Sequence, residues 1–203
     1  MNWKCKKLNT HEISRLIFGC CFLFYFDVKK ADADKKELEI NIINITKAIL
    51  KKDTATLNKY IDTTVGFYVI PPFGVLYHLG KQNRIDFNDY NFQQGSFGDI
   101  KKQIPKIKFT TLPNYDCDKS KWNKKGLYAS KSTFLSDILA KEIKEGESCY
   151  GESELNKIKA LEKNSYWVTY AQDDGSAIEF SITFLNNKYY LTGMQPVPLY
   201  CDI

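Results

Sequence analysis

The chain has 203 residues, with 29 Lys and Arg against 24 Asp and Glu, a formal net charge of +5, and 43% hydrophobic residues. Six of the basic and three of the acidic residues lie within the first 33 positions, so the remainder has a net charge of +2. A nucleic-acid-binding domain carries clustered Lys and Arg, and after residue 33 the one arginine is Arg84. We therefore expect no nucleic-acid partner.

Residues 1–33 have the pattern of a signal peptide. A basic start precedes the apolar run LIFGCCFLFYF at Leu16–Phe26, and Ala31–Ala33 reads A-D-A, an A-x-A cleavage pattern. The run is shorter than the ~20 residues of a membrane-spanning helix, so no transmembrane helix is expected after cleavage. We expect an exported protein (periplasmic, cell-surface or secreted). Lipidation of Cys20 is less favoured, because Cys20 lies inside the apolar run and not after it.

The rest of the chain, 34–203, has the length of one domain. Apolar residues at helical spacing predict a helix over 34–52; they are Leu38, Ile42, Ile45 and Ile49. Asp53 or Thr54 can cap a second, shorter helix that carries Leu57, Tyr60 and Ile61. Two helices joined so tightly predict a helical hairpin.

Strand-forming segments follow. Gly66–Ile70 is rich in β-branched and aromatic residues and ends at a Pro-Pro pair, since proline cannot donate to a ladder. Phe73–Leu79 predicts a second strand, and Ile107–Leu112 predicts a short third one. Between them, the polar, glycine-bearing stretch 81–100 predicts a long surface loop.

Two further helices are predicted in the second half of the chain. Thr133–Glu145 has one apolar side and is followed by Gly146, a helix-ending residue. Ser153 is the expected cap of the next helix, which carries Leu155, Ile158 and Leu161.

The C-terminal segment predicts a three-stranded antiparallel meander. Its strands are Tyr166–Tyr170, Ile178–Phe184 and Lys188–Met194. They are separated by an Asp174-Gly175 turn and an Asn-Asn turn. In the middle strand apolar residues alternate with Glu179, Ser181 and Thr183, which predicts one buried and one solvated face. The fold class is therefore α+β, with the helical hairpin packed on a curved, mainly antiparallel sheet that ends in the meander.

Three cysteines remain after residue 33: Cys117, Cys149 and Cys201. Exported compartments favour disulfides, and three pairings are open. We favour Cys117 with Cys149, because both lie in polar loops. Cys201 would then be free or would pair between chains.

His78 is the one histidine after residue 33. Paired with a carboxylate such as Asp86 or Asp89, it would be the general base of a hydrolase or isomerase. A strand histidine hydrogen-bonded to the backbone is the favoured interpretation. A lone histidine cannot assemble a zinc site, and the sequence has no phosphate-binding or metalloprotease motif, so we expect no metal and no cofactor.

The run ITKAILKKDTATLNKYID at 45–62, followed by GFYVI at 66–70, resembles the opening of NTF2-like (SnoaL-like) domains in exported proteins of Bacteroidetes-type bacteria. In those domains a helix, an Asp-led second helix and a Gly-started strand begin a cone, which a curved antiparallel C-terminal sheet closes. The resemblance implies such a cone here. The family includes enzymes and binding modules, so the resemblance implies no activity and assigns no catalytic residue.

Together these features favour an exported, non-enzymatic binding module with an aromatic-lined concavity for a small apolar ligand or a protein segment. The side chains expected in that concavity are Phe67, Tyr68, Tyr77, Phe180 and Phe184. One alternative is an interaction protein of the inhibitor or immunity type that acts through the 81–100 loop. The least favoured alternative is a small enzyme that uses His78.

Overall fold

The structure is a computed structural model that describes residues 34–70, 79–89, 92 and 103–196. The chain divides into two compact units, 1–40 and 41–203. In the first unit, the described residues 34–40 are helical. The second unit contains the rest of that helix and every other element described below. Within the described residues, no helix has the length and apolar character needed to cross a membrane.

Four helices have described bounds. They are α1 (34–50), α2 (Thr54–Asn58), α3 (Phe134–Glu145) and α4 (Glu152–Glu162). Asp53 caps α2, since its carboxylate accepts hydrogen bonds from the backbone N–H of Thr56 at 3.0 Å and from the Thr56 hydroxyl at 2.7 Å. Gly146 ends α3 in a left-handed conformation. The prediction that Ser153 caps α4 was wrong, because Gly151 is the N-cap residue and Ser153 lies inside the helix.

Nine strands have described bounds: β1 (Phe67–Val69), β2 (Gly80–Gln82), β3 (Lys108–Phe109), β4 (Tyr115–Asp116), β5 (Lys121–Trp122), β6 (Gly126–Ser130), β7 (Ser165–Ala171), β8 (Ala177–Leu185) and β9 (Lys188–Gln195). Seven of these described strands form the main sheet in the order β2-β1-β9-β8-β7-β6-β3, and β4 and β5 form a separate hairpin. The β1–β9 and β3–β6 pairs are parallel, and the other pairs are antiparallel.

The predicted α+β class and the C-terminal meander β7–β8–β9 are confirmed. Both predicted turns are present, with positive φ at Gly175, Asn186 and Asn187. The sequence did not predict β2, β4 and β5, because each is only two or three residues long. It also did not predict the five-residue strand β6. Most of the predicted strand Phe73–Leu79 lies outside the described residues.

The helices α3 and α4 cover one face of the main sheet, which we call the helix-covered face. Their side chains pack with Tyr68 of β1 and Trp167 of β7 in one apolar cluster. Gly193 of β9 lies directly under α3, where an added Cβ would come within 2.9 Å of a Leu135 methyl carbon. Cross-strand register places Ser181 between Gly193 and Trp167 on this same face. The opposite face carries fully buried apolar residues such as Val69 and Phe180.

The prediction of a solvated face on β8 was wrong. Glu179, Ser181 and Thr183 are 6%, 3% and 1% exposed, because they lie on the helix-covered face. The hydroxyls of Ser181 and Thr183 are both hydrogen-bonded to the hydroxyl of Thr192. The Thr183 hydroxyl is 2.6 Å from that of Thr192, which donates to Ser181 Oγ at 3.1 Å. The alternation along β8 therefore marks two buried sides of this one strand, one apolar and one polar.

Candidate functional site

The side chains expected to line one concavity are not brought together. Phe67 and Tyr68 are neighbours on β1, so they point to opposite faces of the sheet. Phe180 shares the face of Phe67, and all three are at most 1% exposed. Phe184 is 37% exposed and its ring contacts that of Tyr189 at 5.0 Å between centroids. Tyr77 lies outside the described residues.

Tyr68 instead belongs to a polar network that joins β1 and β2 to α4. Its hydroxyl donates to Glu154 Oε1 at 2.7 Å, and Lys81 Nζ donates to the same oxygen at 2.6 Å. Lys157 Nζ lies 3.0 Å from Glu154 Oε2. The hydrogen bonds from Lys81 and Tyr68 lower the pKa of Glu154 to about 2. Burial, with the bond to this carboxylate, raises the pKa of the Tyr68 hydroxyl.

A cavity of about 230 Å³ opens on the helix-covered face, and we call it the aromatic pocket. It is enclosed by the segment before β4, the β4–β5 hairpin, the start of α3 and the strands β7, β8 and β9. The lining residues are Leu112, Pro113, Asn114, Tyr115, Trp122, Ser132, Phe134, Trp167, Thr169, Glu179 and Gln195. Four of these eleven residues are aromatic, and each comes from a different element.

Three polar side chains from neighbouring strands form one row of the pocket. Thr169 is in register with Glu179, and Glu179 is in register with Gln195. All three are at least 94% buried. The Thr169 hydroxyl donates to Glu179 Oε1 at 2.8 Å. Residues directly opposite one another on adjacent strands have closely spaced side chains, so the row presents a carboxylate, an amide and a hydroxyl to one small volume.

The aromatic residues form two perpendicular pairs. The rings of Phe134 and Trp167 are 4.7 Å apart at 70°, and those of Tyr115 and Trp122 are 5.4 Å apart at 82°. Trp122 Nε1 donates to the Gly175 carbonyl at 3.1 Å, which attaches the β4–β5 hairpin to the β7–β8 turn. Gly175 has φ of 87° and would place a Cβ 3.1 Å from the Tyr115 hydroxyl. The turn and the hairpin therefore fix two rings of the pocket.

The start of α3, which carries Phe134, is held by two side-chain acceptors. Ser132 Oγ accepts the backbone N–H of Phe134 at 3.1 Å, and Glu162 Oε1 accepts that of Leu135 at 2.9 Å. The second carboxylate oxygen of Glu162 is buried without a hydrogen-bond partner. Burial raises the pKa of Glu162. This buried carboxyl orients α3 over the sheet and does not line the pocket.

The other cavities among the described residues have at most one aromatic lining residue each. One of about 380 Å³ lies beside β3 and includes Lys106, Lys108 and Lys125. Lys125 is already paired with Asp173 at 3.0 Å. Another, of about 470 Å³, is lined by six polar residues of 82–89. Binding sites for small molecules are mostly apolar and aromatic with a few convergent polar groups, and the aromatic pocket fits that description best.

The catalytic alternative stays a prediction, because His78 lies outside the described residues. Asp86, one of its expected partners, accepts the backbone N–H of Asn88 at 2.9 Å and so stabilises its own turn. Within the part of the chain that is described, no group of three His, Cys, Asp or Glu residues is placed to hold a metal ion.

The predicted Cys117–Cys149 disulfide is not formed. Cys149 is a free, exposed thiol, whereas Cys117 is disulfide-bonded. The two lie on different elements, Cys117 in the β4–β5 hairpin and Cys149 between α3 and α4. Cys201 lies outside the described residues.

The 81–100 loop does not present exposed aromatic rings in its described part. Phe92 is 1% exposed and stacks on Phe67, with 6.3 Å between ring centroids. Phe87 contacts Phe92 edge-on at 5.9 Å. Phe92 belongs to the core and the partly buried Phe87 packs against it, so these two rings do not favour an interaction surface.

Comparison of the chain with protein-family models, with curated proteins and with solved structures found no match. The resemblance to NTF2-like domains therefore stays a prediction, and the site is interpreted from its own chemistry.

Sequence reasoning missed the aromatic pocket, although one signal was available. After residue 33 the chain has two tryptophans, Trp122 and Trp167, and both line the pocket. Glu179 was assigned to a solvated face because its neighbours alternate, and only the presence of α3 and α4 turns that face into a cavity wall.

Proposed function

We propose that this protein is an exported, non-enzymatic binding module whose site is the aromatic pocket. The observation that carries the proposal is the convergence of four aromatic side chains on one buried polar row. Aromatic rings supply apolar contact area at small entropic cost, and buried polar groups fix the orientation of a ligand. The cavity, at about 230 Å³, suits a small molecule better than a folded protein segment.

The arrangement favours binding over catalysis. The buried carboxylate of Glu179 already accepts a hydrogen bond from Thr169 at 2.8 Å. General acid–base chemistry requires a group poised to exchange a proton with the substrate. A carboxylate held between a hydroxyl and an amide in a strand row is better suited to orienting a ligand.

Binding can be tested through the two tryptophans of the pocket. In a full-length Trp3→Phe variant, the remaining tryptophans are Trp122 and Trp167. Small amphipathic molecules that bind the pocket should raise the melting temperature of the protein. We expect the same molecules to change the tryptophan fluorescence in a saturable manner. A Phe134→Leu variant should weaken that response, whereas the matched change Phe184→Leu, at a residue outside the pocket, should not. Equal weakening by both variants would contradict the assignment of the site.

Export is part of the proposal and rests on the basic start, apolar run and A-x-A pattern of residues 1–33. Mass spectrometry of the protein from its native cells should find a chain that starts at Asp34. A chain that starts at Met1, or one with a lipid on Cys20, would contradict cleavage after Ala33.

We also propose that the fold is an NTF2-like cone with an N-terminal helical hairpin. Support comes from Asp53 as the cap of the second helix, from Gly66 with φ of 73° just before β1, and from the pairing of β1 with β9 of the meander. An experimental structure in which α1 and α2 do not pack together on the sheet would contradict this.

A further inference from the structure

We propose that this protein binds an acidic polysaccharide along a second site, whose chemistry differs from that of the aromatic pocket. The site is a groove beside β3, the β4–β5 hairpin and the start of β6. It consists of two adjoining cavities of about 380 Å³ and 460 Å³, and we call it the lysine groove. This inference goes beyond the proposed function, because it gives a second surface a ligand of its own.

The shape of the lysine groove suits a chain of repeating units. Its two cavities share three lining residues, Lys125, Gln172 and Asp173. Each cavity has a volume within the ~300–1,000 Å³ of ordinary ligand pockets. Two such cavities in a row suit consecutive units of a linear molecule better than one compact molecule.

The lysine groove also concentrates positive charge. It is lined by six lysines and two acidic residues, which are Lys106, Lys108, Lys119, Lys121, Lys124 and Lys125 with Asp116 and Asp173. Its formal net charge is therefore +4, whereas residues 34–203 together have +2. The rest of that range is net negative, so an anionic partner would be attracted to this one surface.

Four of the six lysines have no internal counter-charge among the described residues. Asp116 is paired with Lys119 at 2.7 Å, and Asp173 is paired with Lys125 at 3.0 Å. No described acidic residue forms an ion pair with the other four, which are Lys106, Lys108, Lys121 and Lys124. Their charges are therefore available to acidic groups from outside the chain.

The ring of Tyr128 holds two of these charges close together. Lys108 Nζ and Lys124 Nζ each lie 5.1 Å from its centroid. Lys108 also donates to the Tyr128 hydroxyl at 3.3 Å, and Lys124 donates to the Thr111 hydroxyl at 3.1 Å. These partners are neutral, so they position the two ammonium groups without cancelling their charge. An anion that contacts both would relieve their mutual repulsion.

The neutral groups of the lysine groove favour a polysaccharide among polyanions. Side-chain amides of Gln103, Asn123 and Gln172 can both donate to and accept from sugar hydroxyls. Single-stranded nucleic acids instead use exposed aromatic rings on which bases stack. Each cavity has one aromatic lining residue, Tyr170 or Trp122, and these are only 2% and 8% exposed. The lysines line a concave surface, whereas the headgroups of a membrane form a broad, nearly flat one.

Isothermal titration calorimetry with the full chain tests the inference. The probes are an oligogalacturonate, which carries carboxylates, a dextran sulfate of similar length, and neutral dextran. We expect at least one acidic chain to bind, with affinity at least about tenfold weaker at about 300 mM than at about 50 mM NaCl. The acidic chain that binds identifies the acid group. Failure of both acidic chains to bind, equal binding of neutral dextran, or affinity independent of salt would overturn the proposal.

Other polyanions distinguish a polysaccharide site from general attraction of negative charge. Single-stranded DNA of similar charge and vesicles of phosphatidylglycerol should bind at least about tenfold more weakly than the preferred acidic chain. Equal or tighter binding of either one would overturn the assignment to a polysaccharide.

Charge-removing variants locate the site. Lys106→Gln with Lys121→Gln removes one exposed lysine from each cavity and should weaken binding of the acidic chain about tenfold. The matched control is Lys141→Gln with Lys159→Gln, which removes the same charge from exposed positions on α3 and α4. It should change the affinity less than about twofold. Equal weakening by the two double variants would show that the lysine groove is not the site.

Discussion

Glu154 gives a quantitative test of how α4 is attached to the sheet. Its carboxylate accepts hydrogen bonds from Tyr68 and Lys81 at 2.7 and 2.6 Å, and these bonds lower its pKa from 4.5 to about 2. A pKa lowered in the folded state stabilises the fold above the unfolded pKa, and that stabilisation is lost as pH falls. The loss should therefore occur between about pH 4.5 and pH 2.

The magnitude follows from the shift. One pKa unit corresponds to about 1.4 kcal/mol, so the full shift sets an upper limit of about 3 kcal/mol. The true value should be smaller, because the Lys157 side chain is 65% exposed and its contribution is screened by water. Glu154→Gln should therefore lower the free energy of unfolding by about 1–3 kcal/mol at pH 7, and by much less near pH 2.

Urea unfolding followed by circular dichroism at pH 7, 4 and 2.5 measures this difference. The matched control is Glu152→Gln, which changes an exposed carboxylate in the same first turn of α4. It should cost only a few tenths of a kcal/mol, from the helix dipole. A Glu154→Gln penalty that stays constant from pH 7 to pH 2.5, or that equals the control, would refute the reasoning.

Three further predictions address packing, a buried carboxyl and the thiol chemistry. Gly193→Ala should lower the free energy of unfolding by about 1–3 kcal/mol, because the new methyl group meets a side chain of α3 at 2.9 Å; Gly80→Ala, whose nearest contact is an ordinary 3.7 Å, should not. Burial raises the folded-state pKa of Glu162, so its ionised form destabilises the fold. Glu162→Gln should therefore raise the free energy of unfolding at pH 7, and this gain should shrink as pH falls toward 4.5. A gain that does not depend on pH would contradict this. Iodoacetamide should label Cys149 in the native protein, and recovery of a Cys117–Cys149 disulfide peptide would contradict the structure.

Local signals were enough to predict the elements with strong periodicity or turn chemistry. Helical spacing located α1 and α3, and Asp53 and Gly146 marked a start and an end. Gly175 and the Asn186-Asn187 pair fixed the meander through their positive φ values. These features depend on neighbouring residues, and the sequence carries them directly.

The aromatic pocket depends on contacts that are distant in sequence. Its rings come from Tyr115 and Trp122 in a short hairpin, from Phe134 in α3 and from Trp167 in β7. The hairpin strands have two residues each, too few for a period-2 pattern. The burial of Glu179 follows from α3 and α4 covering its face. Alternation in β8 showed which residues share that face, and could not show that helices lie over it.

The nuclear magnetic resonance signals of the tryptophan indole N–H groups test the central claim most directly. The full chain has three tryptophans, and in a Trp3→Phe variant the two that remain, Trp122 and Trp167, line the aromatic pocket. Titration of that variant with a small molecule that raises the melting temperature should shift the Trp122 and Trp167 signals along one saturable curve. Saturable binding that leaves the Trp122 and Trp167 signals in place would show that the ligand site lies elsewhere and would contradict the account.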